Sequence, residues 1–182
     1  MSVWGGEWTC GIGCAVADRP EGPFKDCGMM FRSNGIKVQN SIDPFYIEDN
    51  GHKYLFWGSF RGIYAIELSE DGLSLKSGSS PVQIAGTAYE GTYIHKRGGY
   101  YYMFASIGSC CEGLKSTYTT VVGRSTSLFG PYLDKKGQSM MDNHHEILIH
   151  KNDSFVGTGH NSEIVSDNAG TDLLFYHAVS VA

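Results

Sequence analysis

The sequence predicts an all-β fold of the propeller type. Three observations support this: a blade-sized internal repeat, a turn-rich composition without helical periodicity, and aromatic β-runs punctuated by Gly turns. The repeat carries the most weight. Residues 42–59, IDPFYIEDNGHKYLFWGS, lie over residues 89–106, YEGTYIHKRGGYYYMFAS, without a gap. The register pairs Ile47 with Ile94, Gly51 with Gly98, Tyr54 with Tyr101 and Ser59 with Ser106. A fixed period of 47 residues, Asp43 to Glu90, suits successive blades of a propeller. Equivalent positions in such blades face the same central axis.

The elements follow in chain order. Ahead of the first inner-strand signature, which begins near Asn40, only outer-strand material is present: WTCGIGCAVAD and KDCGMMF. Aromatic and β-branched runs then mark strands at 53–57, 62–68, 100–104 and 119–122. Asp71-Gly72 and Gly98-Gly99 supply the turns. A third, weaker copy, GHNSEIVSDNAGTDLLFYHA (159–178), has the same order of polar start, short β-run, Gly turn and aromatic run. Placing Ile164 on Ile94 puts His160 at the Asp43/Glu90 position, with a small insertion at the turn. A separate repeat relates AVADRPEGPFKD (15–26) to GRSTSLFGPYLD (123–134). Their Gly-Pro-aromatic cores, at Gly22 and Gly130, lie 108 residues apart, near two periods, and read as outer-strand connections. Closed propellers need roughly four to eight blades, so about three to four are expected here. Residues 1–182 are therefore expected to be one partial catalytic propeller domain, with the first blade and the C-terminal end lying outside it. Both ends would otherwise leave open sheet edges.

Composition narrows the function. With 24 Gly and 11 Tyr in 182 residues and a net charge of −5, the chain has no basic run suited to nucleic acid or an anionic membrane. No apolar stretch is long enough for a spanning helix. The amino terminus shows no signal-peptide pattern. Five Cys without metal-site spacing leave the redox compartment open. Cys110 and Cys111 are adjacent, which permits a vicinal bridge. Two small, partly buried residues in a tight loop is the simpler reading.

The chemistry is expected where the repeat places Asp43 and Glu90, followed by Pro44 and Gly91. Two carboxylates converging on a cleft suit acid–base work on a glycosidic bond. Inverting hydrolysis needs a protonated carboxyl for the leaving oxygen and a carboxylate about 6.5–9.5 Å away to activate water. A neighbouring carboxylate helps an acid keep its proton, because two like charges resist ionising together. The plain alternatives are an Asx-turn at Asp43 and a solvated surface acid at Glu90. The shared register, and Tyr89, Gly91 and Tyr93 around Glu90, favour the catalytic reading. His160 is either a hydrogen-bonded turn residue or a ligand beside a hydrated hard cation. Asn40 and Ser59 are candidate hydroxyl-binding groups, and Phe60 a candidate sugar-stacking ring, while Trp57 suits the core better. His144-His145 lacks the HExxH spacing and reads as a loop, and Arg124 reads as structural.

The motifs NSIDPFYIEDNG, LFWGSFRGIYAIEL, AYEGTYIHKRGGYYYMFASIGSCCEG, STYTTVVGRSTSLFGPYLDKKGQSMMD and GTGHNSEIVSDNAGTDLLFYHA cover nearly the whole chain. In that order they resemble the family 43 glycoside hydrolases, specifically the endo-arabinanase-like branch. The resemblance implies a five-bladed β-propeller that hydrolyses arabinan, or a related arabinose- or xylose-containing glycan, with inversion. It implies Glu90 as general acid, Asp43 as modulator of its pKa, and His160 as an axial residue beside a hydrated calcium ion. The family's base Asp comes from an Asp-Pro strand of the first blade, which no segment here matches. Asp18-Arg19-Pro20 lies in outer-strand material and is no substitute. The implied partner is an oligo- or polysaccharide and the implied location extracytoplasmic; oligomeric state is silent. Two alternatives stay open: a non-catalytic carbohydrate-binding propeller, and arabinofuranosidase or β-xylosidase specificity.

Overall fold

The computed structural model describes residues 2–3 and 5–182. Its strands form consecutive antiparallel meanders. β1 (Ser2–Val3), β2 (Gly11–Val16) and β3 (Lys25–Arg32) make the first sheet, which a single helical turn, α1 (Ser33–Ile36), follows. β4 (Phe45–Asp49), β5 (His52–Trp57), β6 (Ile63–Glu67) and β7 (Val82–Ala85) make the second, in sequential order. β8 (Glu90–Arg97), β9 (Tyr100–Ile107), β10 (Thr119–Ser125) and β11 (Glu146–Ile149) repeat that order in the third. β12 (Phe155–Gly159) joins β10 by one parallel pairing, Thr119 with Thr158, and pairs antiparallel with β15 (His177–Ser180). β13 (Ile164–Ser166) and β14 (Asp172–Leu174) form a hairpin that begins the next blade. Among the described residues the sheets do not close into a ring.

The predicted strands and turns coincide with β5, β6, β9 and β10 and with the hairpins around Gly72 and Gly98-Gly99. Gly98 and Gly99 both take positive φ (58° and 80°), which a two-residue hairpin of this kind requires. The Gly-Pro-aromatic pair is also structural. Each Gly-Pro peptide is cis, one between β2 and β3 and the other between β10 and β11, and both strand pairs are antiparallel.

Blades stack face to face, and β5 shows why its sequence is apolar without alternation. Leu55 and Trp57 point to one face, into a core with Ile12, Phe31 and Ile66 of the first two sheets. Phe56 points to the other, into a core with Ile94, Met103 and Val121 of the third sheet and Tyr132 of its β10–β11 connection. A strand covered on both faces loses the period-2 pattern that a half-exposed strand keeps. Trp57 is fully buried, and its indole N–H donates to Ser41 Oγ at 3.0 Å. It is a core residue, as expected. Arg124 stacks 4.2 Å from the Tyr100 ring centroid, a structural role.

One expectation is corrected. Cys110 and Cys111 are joined as a disulfide, and both are exposed. The small-and-buried reading fails because the loop 108–118 turns these residues outward rather than into the sheet.

Candidate functional site

Three residues enter the site from the starts of inner strands. Asp43 lies just ahead of β4, Glu90 opens β8, and His160 follows β12 ahead of β13. Asp43 and His160 have positive φ (55° and 49°), and so does Gly91 (59°), next to Glu90. This left-handed backbone is costly for Asp43 and His160, which carry a Cβ, and it recurs where their chains enter the site. Gly91 is needed for a second reason. A Cβ there would stand 3.1 Å from His160 Nδ1.

Asp43 and Glu90 meet as the repeat predicts. Asp43 Oδ2 accepts from the Gly91 N–H at 3.3 Å, so the second-sheet carboxylate lies against the backbone beside Glu90. Glu90 is held at both oxygens. Ser59 Oγ donates to Oε2 at 2.8 Å, and the Tyr118 hydroxyl donates to Oε1 at 2.5 Å. The same hydroxyl lies 3.5 Å from His160 Nδ1, and the His160 N–H donates to Ser106 Oγ at 2.7 Å. Ser59 and Ser106, paired in the repeat, each hold a residue of the following blade, Ser59 by donating to the Glu90 carboxylate and Ser106 by accepting from the His160 backbone N–H.

The electrostatics are asymmetric. Burial raises Asp43 above the ordinary carboxylate range; His160 opposes the rise, the Glu90 carboxylate adds to it, and the Gly91 hydrogen bond opposes it. Burial, then the bond to Glu90, pushes the Tyr118 hydroxyl far above the usual tyrosine value, so it remains a donor to Glu90.

Two cavities adjoin these groups. One of about 750 Å³ is lined by Asp43, Glu90, Tyr118 and His160, with the Cys110–Cys111 disulfide and residues 176–179 on its walls. The other, about 610 Å³, is lined by Asp43, His160, Thr92, Asn161 and Glu163. The buried oxygens Thr92 Oγ1 and Asn161 Oδ1 have no hydrogen-bond partner among the described residues.

The remaining predicted residues fall as follows. Ser59 touches Glu90. Asn40 is buried behind it, its Nδ2 donating to the Ser59 carbonyl at 2.9 Å. Phe60, at φ 51°, donates its N–H to the Tyr89 carbonyl and lines neither cavity. His144 and His145 lie in a loop away from both cavities, with His145 Nδ1 3.1 Å from the Tyr89 hydroxyl. Sequence reasoning missed Tyr118 and Asn161, and ranked the vicinal bridge below a buried pair. The only signal for Tyr118 was its place at the end of the loop that starts beside Ser106.

Comparison with known proteins agrees with this geometry. The chain is 37% identical over 181 residues to the extracellular endo-α-(1→5)-L-arabinanase 1 of Bacillus subtilis (strain 168), covering 95% of this chain and 54% of that protein. It is 36% identical to an extracellular exo-α-(1→5)-L-arabinofuranosidase of Cellvibrio japonicus (strain Ueda107), covering 90% of this chain and 51% of that protein. The chain thus spans about half the length of these curated relatives. Among solved structures, the Cellvibrio cellulosa α-L-arabinanase superposes with a TM-score of 0.86 at 33% identity, over 97% of this chain and 62% of that one. The same arabinanase complexed with arabinohexaose gives a TM-score of 0.84 at 32% identity, with the same coverage. The fold is accordingly part of a five-bladed β-propeller. The model for the glycosyl hydrolases family 43 matches residues 1–182, and the chain belongs to that family.

Proposed function

We propose that this chain carries the acid side of an inverting glycoside hydrolase that cleaves α-1,5-linked arabinan. One observation carries the reading: Glu90 and Asp43, from equivalent points of successive blades, open into one cavity and touch through Gly91. Glu90 gives its proton to the glycosidic oxygen as the bond to the anomeric carbon breaks. A water attacks that carbon from the opposite face and loses its proton to a base carboxylate. In this reading Asp43, held to the Gly91 N–H, is the second carboxyl beside the acid. No residue of the motifs quoted above is assigned as that base. The arabinan substrate rests on relatives named arabinanases and on one complexed with arabinohexaose. Endo and exo enzymes both stand among the relatives, so the mode of cleavage stays with cleft shape.

His160 is proposed to face a hydrated calcium ion. Among the described residues no group of three or more His, Cys, Asp or Glu could cage a metal, so a tightly ligated ion does not fit. The unpartnered oxygens of Thr92 and Asn161, lining one cavity with His160 and Asp43, do fit an ion that keeps its water. Such an ion would supply fixed positive charge near the carboxylates. Chelation should lower activity or thermal stability and added calcium should restore it; indifference to both removes the ion from the reading.

An extracytoplasmic location is proposed from relatives named extracellular and from the Cys110–Cys111 disulfide, which persists in oxidising compartments. Immunodetection in the medium and envelope against the cytosol tests it.

The deciding experiment is Glu90→Gln in the full-length protein, assayed on linear arabinan. Turnover is expected to fall by about 100- to 10,000-fold, the range for a general acid, while oligosaccharide binding stays within a few-fold. Near-parental turnover would remove Glu90 from the acid role. A parent protein that binds oligosaccharide without cleaving it would instead be a carbohydrate-binding propeller.

A further inference from the structure

The loop 108–118 between β9 and β10 starts and ends at the acid. Ser106, just before it, is the β-ladder partner of Glu90, and Tyr118, at its end, donates to Glu90 Oε1. The loop is fastened internally at several points. The N–H groups of Thr117 and Tyr118 donate to the Ser109 carbonyl at 3.1 and 3.0 Å. Ser116 Oγ donates to the Cys110 carbonyl at 3.0 Å and accepts from the Glu112 N–H at 3.0 Å. Ser116 is buried and packs against Gly157, where a Cβ would come within 2.8 Å of its own. The result is that an exposed disulfide, Cys110–Cys111, is held in the wall of the 750 Å³ cavity that contains Glu90.

The two sides of that cavity differ in chemistry. The floor is ionisable: Asp43, Glu90, Tyr118 and His160. The wall holds the disulfide, Tyr176, Ala178 and Val179, with His177 as its one imidazole, stacked 6.0 Å from the His160 ring. A sugar ring likewise has hydroxyl edges and C–H faces. Sulfur is soft and polarisable and suits the latter. Joining neighbouring residues closes a small covalent ring, which presents both sulfurs as one surface without the ordering cost of two free side chains. An exposed disulfide that merely stapled the loop would be redundant here, since the bonds to Ser109, Cys110 and Ser116 already close it.

We propose that the Cys110–Cys111 disulfide is a substrate-contact element, an apolar platform for a sugar ring of the bound glycan beside the acid. The inference rests on the arabinan reading and names one surface of that site. It is tested by calorimetric binding of linear α-1,5-arabino-oligosaccharides to full-length Glu90→Gln protein, which holds substrate without turning it over. Comparison is with the same protein carrying Cys110→Ser and Cys111→Ser. Opening the platform is expected to weaken Kd about tenfold, equivalent to about 1.4 kcal/mol. In the otherwise parental enzyme the same pair should raise KM with little change in kcat. Should the double variant fail to fold, mild reduction and alkylation of the intact protein, with both sites confirmed by mass spectrometry, gives the same comparison. A Kd that stays within twofold after the bridge is opened overturns the platform while leaving the substrate reading intact. No oligosaccharide binding even with the bridge closed overturns the substrate reading and the platform together.

Discussion

Gly91 shows how tightly single residues are specified at the axis. Its φ of 59° is ordinary for Gly and costs another residue about 1–2 kcal/mol. Its missing side chain also leaves room for the His160 ring, while its N–H is the donor that Asp43 accepts. One position therefore adjusts the two carboxylates and the histidine together. Gly91→Ala is expected to lose about 1–2 kcal/mol of stability in urea unfolding, and arabinan turnover should fall with it. Parental stability and turnover in the variant would show that the backbone relaxes and that the close approach to His160 has no importance.

Between elements, the repeat sets contacts as well as shapes. Asp49 of β4 and Lys96 of β8 are equivalent positions one period apart, and they form an ion pair across the two blades. Asp49 is buried and also accepts from the Tyr101 hydroxyl at 2.8 Å. Burial pushes its carboxyl up, but the bonds from Lys96 and Tyr101 outweigh this and hold it below the usual range. A depressed carboxylate stabilises the fold above the ordinary Asp pKa, and that contribution is lost as pH falls through the depressed folded value. Asp49→Ala leaves a buried hydroxyl without its acceptor. It should cost about 1–3 kcal/mol at neutral pH. In urea midpoints the gap to the parent should narrow below about pH 4, where the parent's own advantage fades. A gap independent of pH would mean that lost packing, not the charge, carries the effect.

For the whole molecule, the meander order and the meeting of Asp43 with Glu90 were legible in sequence because both follow from a fixed period. A strand's alternation and a blade's length are local properties, repeated where they can be compared. His160 could be phased the same way, even through a weaker copy with an inserted turn. Tyr118 and the disulfide could not. Both belong to a loop without a counterpart in the second sheet, and their positions depend on how Ser109, Ser116 and Gly157 fasten it. Trp57 and Phe60 show the same limit: adjacent aromatics near one hairpin end, of which one fills a core and the other turns on a left-handed backbone. The two serines just beyond β5 and near the end of β9 have a wider consequence. Ser59 secures Glu90 and Ser106 secures His160, so each functional group is gripped by the blade before its own. The folding module and the working module are thus offset by one hairpin. A recombination event that exchanges whole blades at their natural seams would transplant an axial residue without its clasp, and would leave a clasp closing on a stranger. Cuts placed between the first and second strands of a blade would carry clasp and residue together.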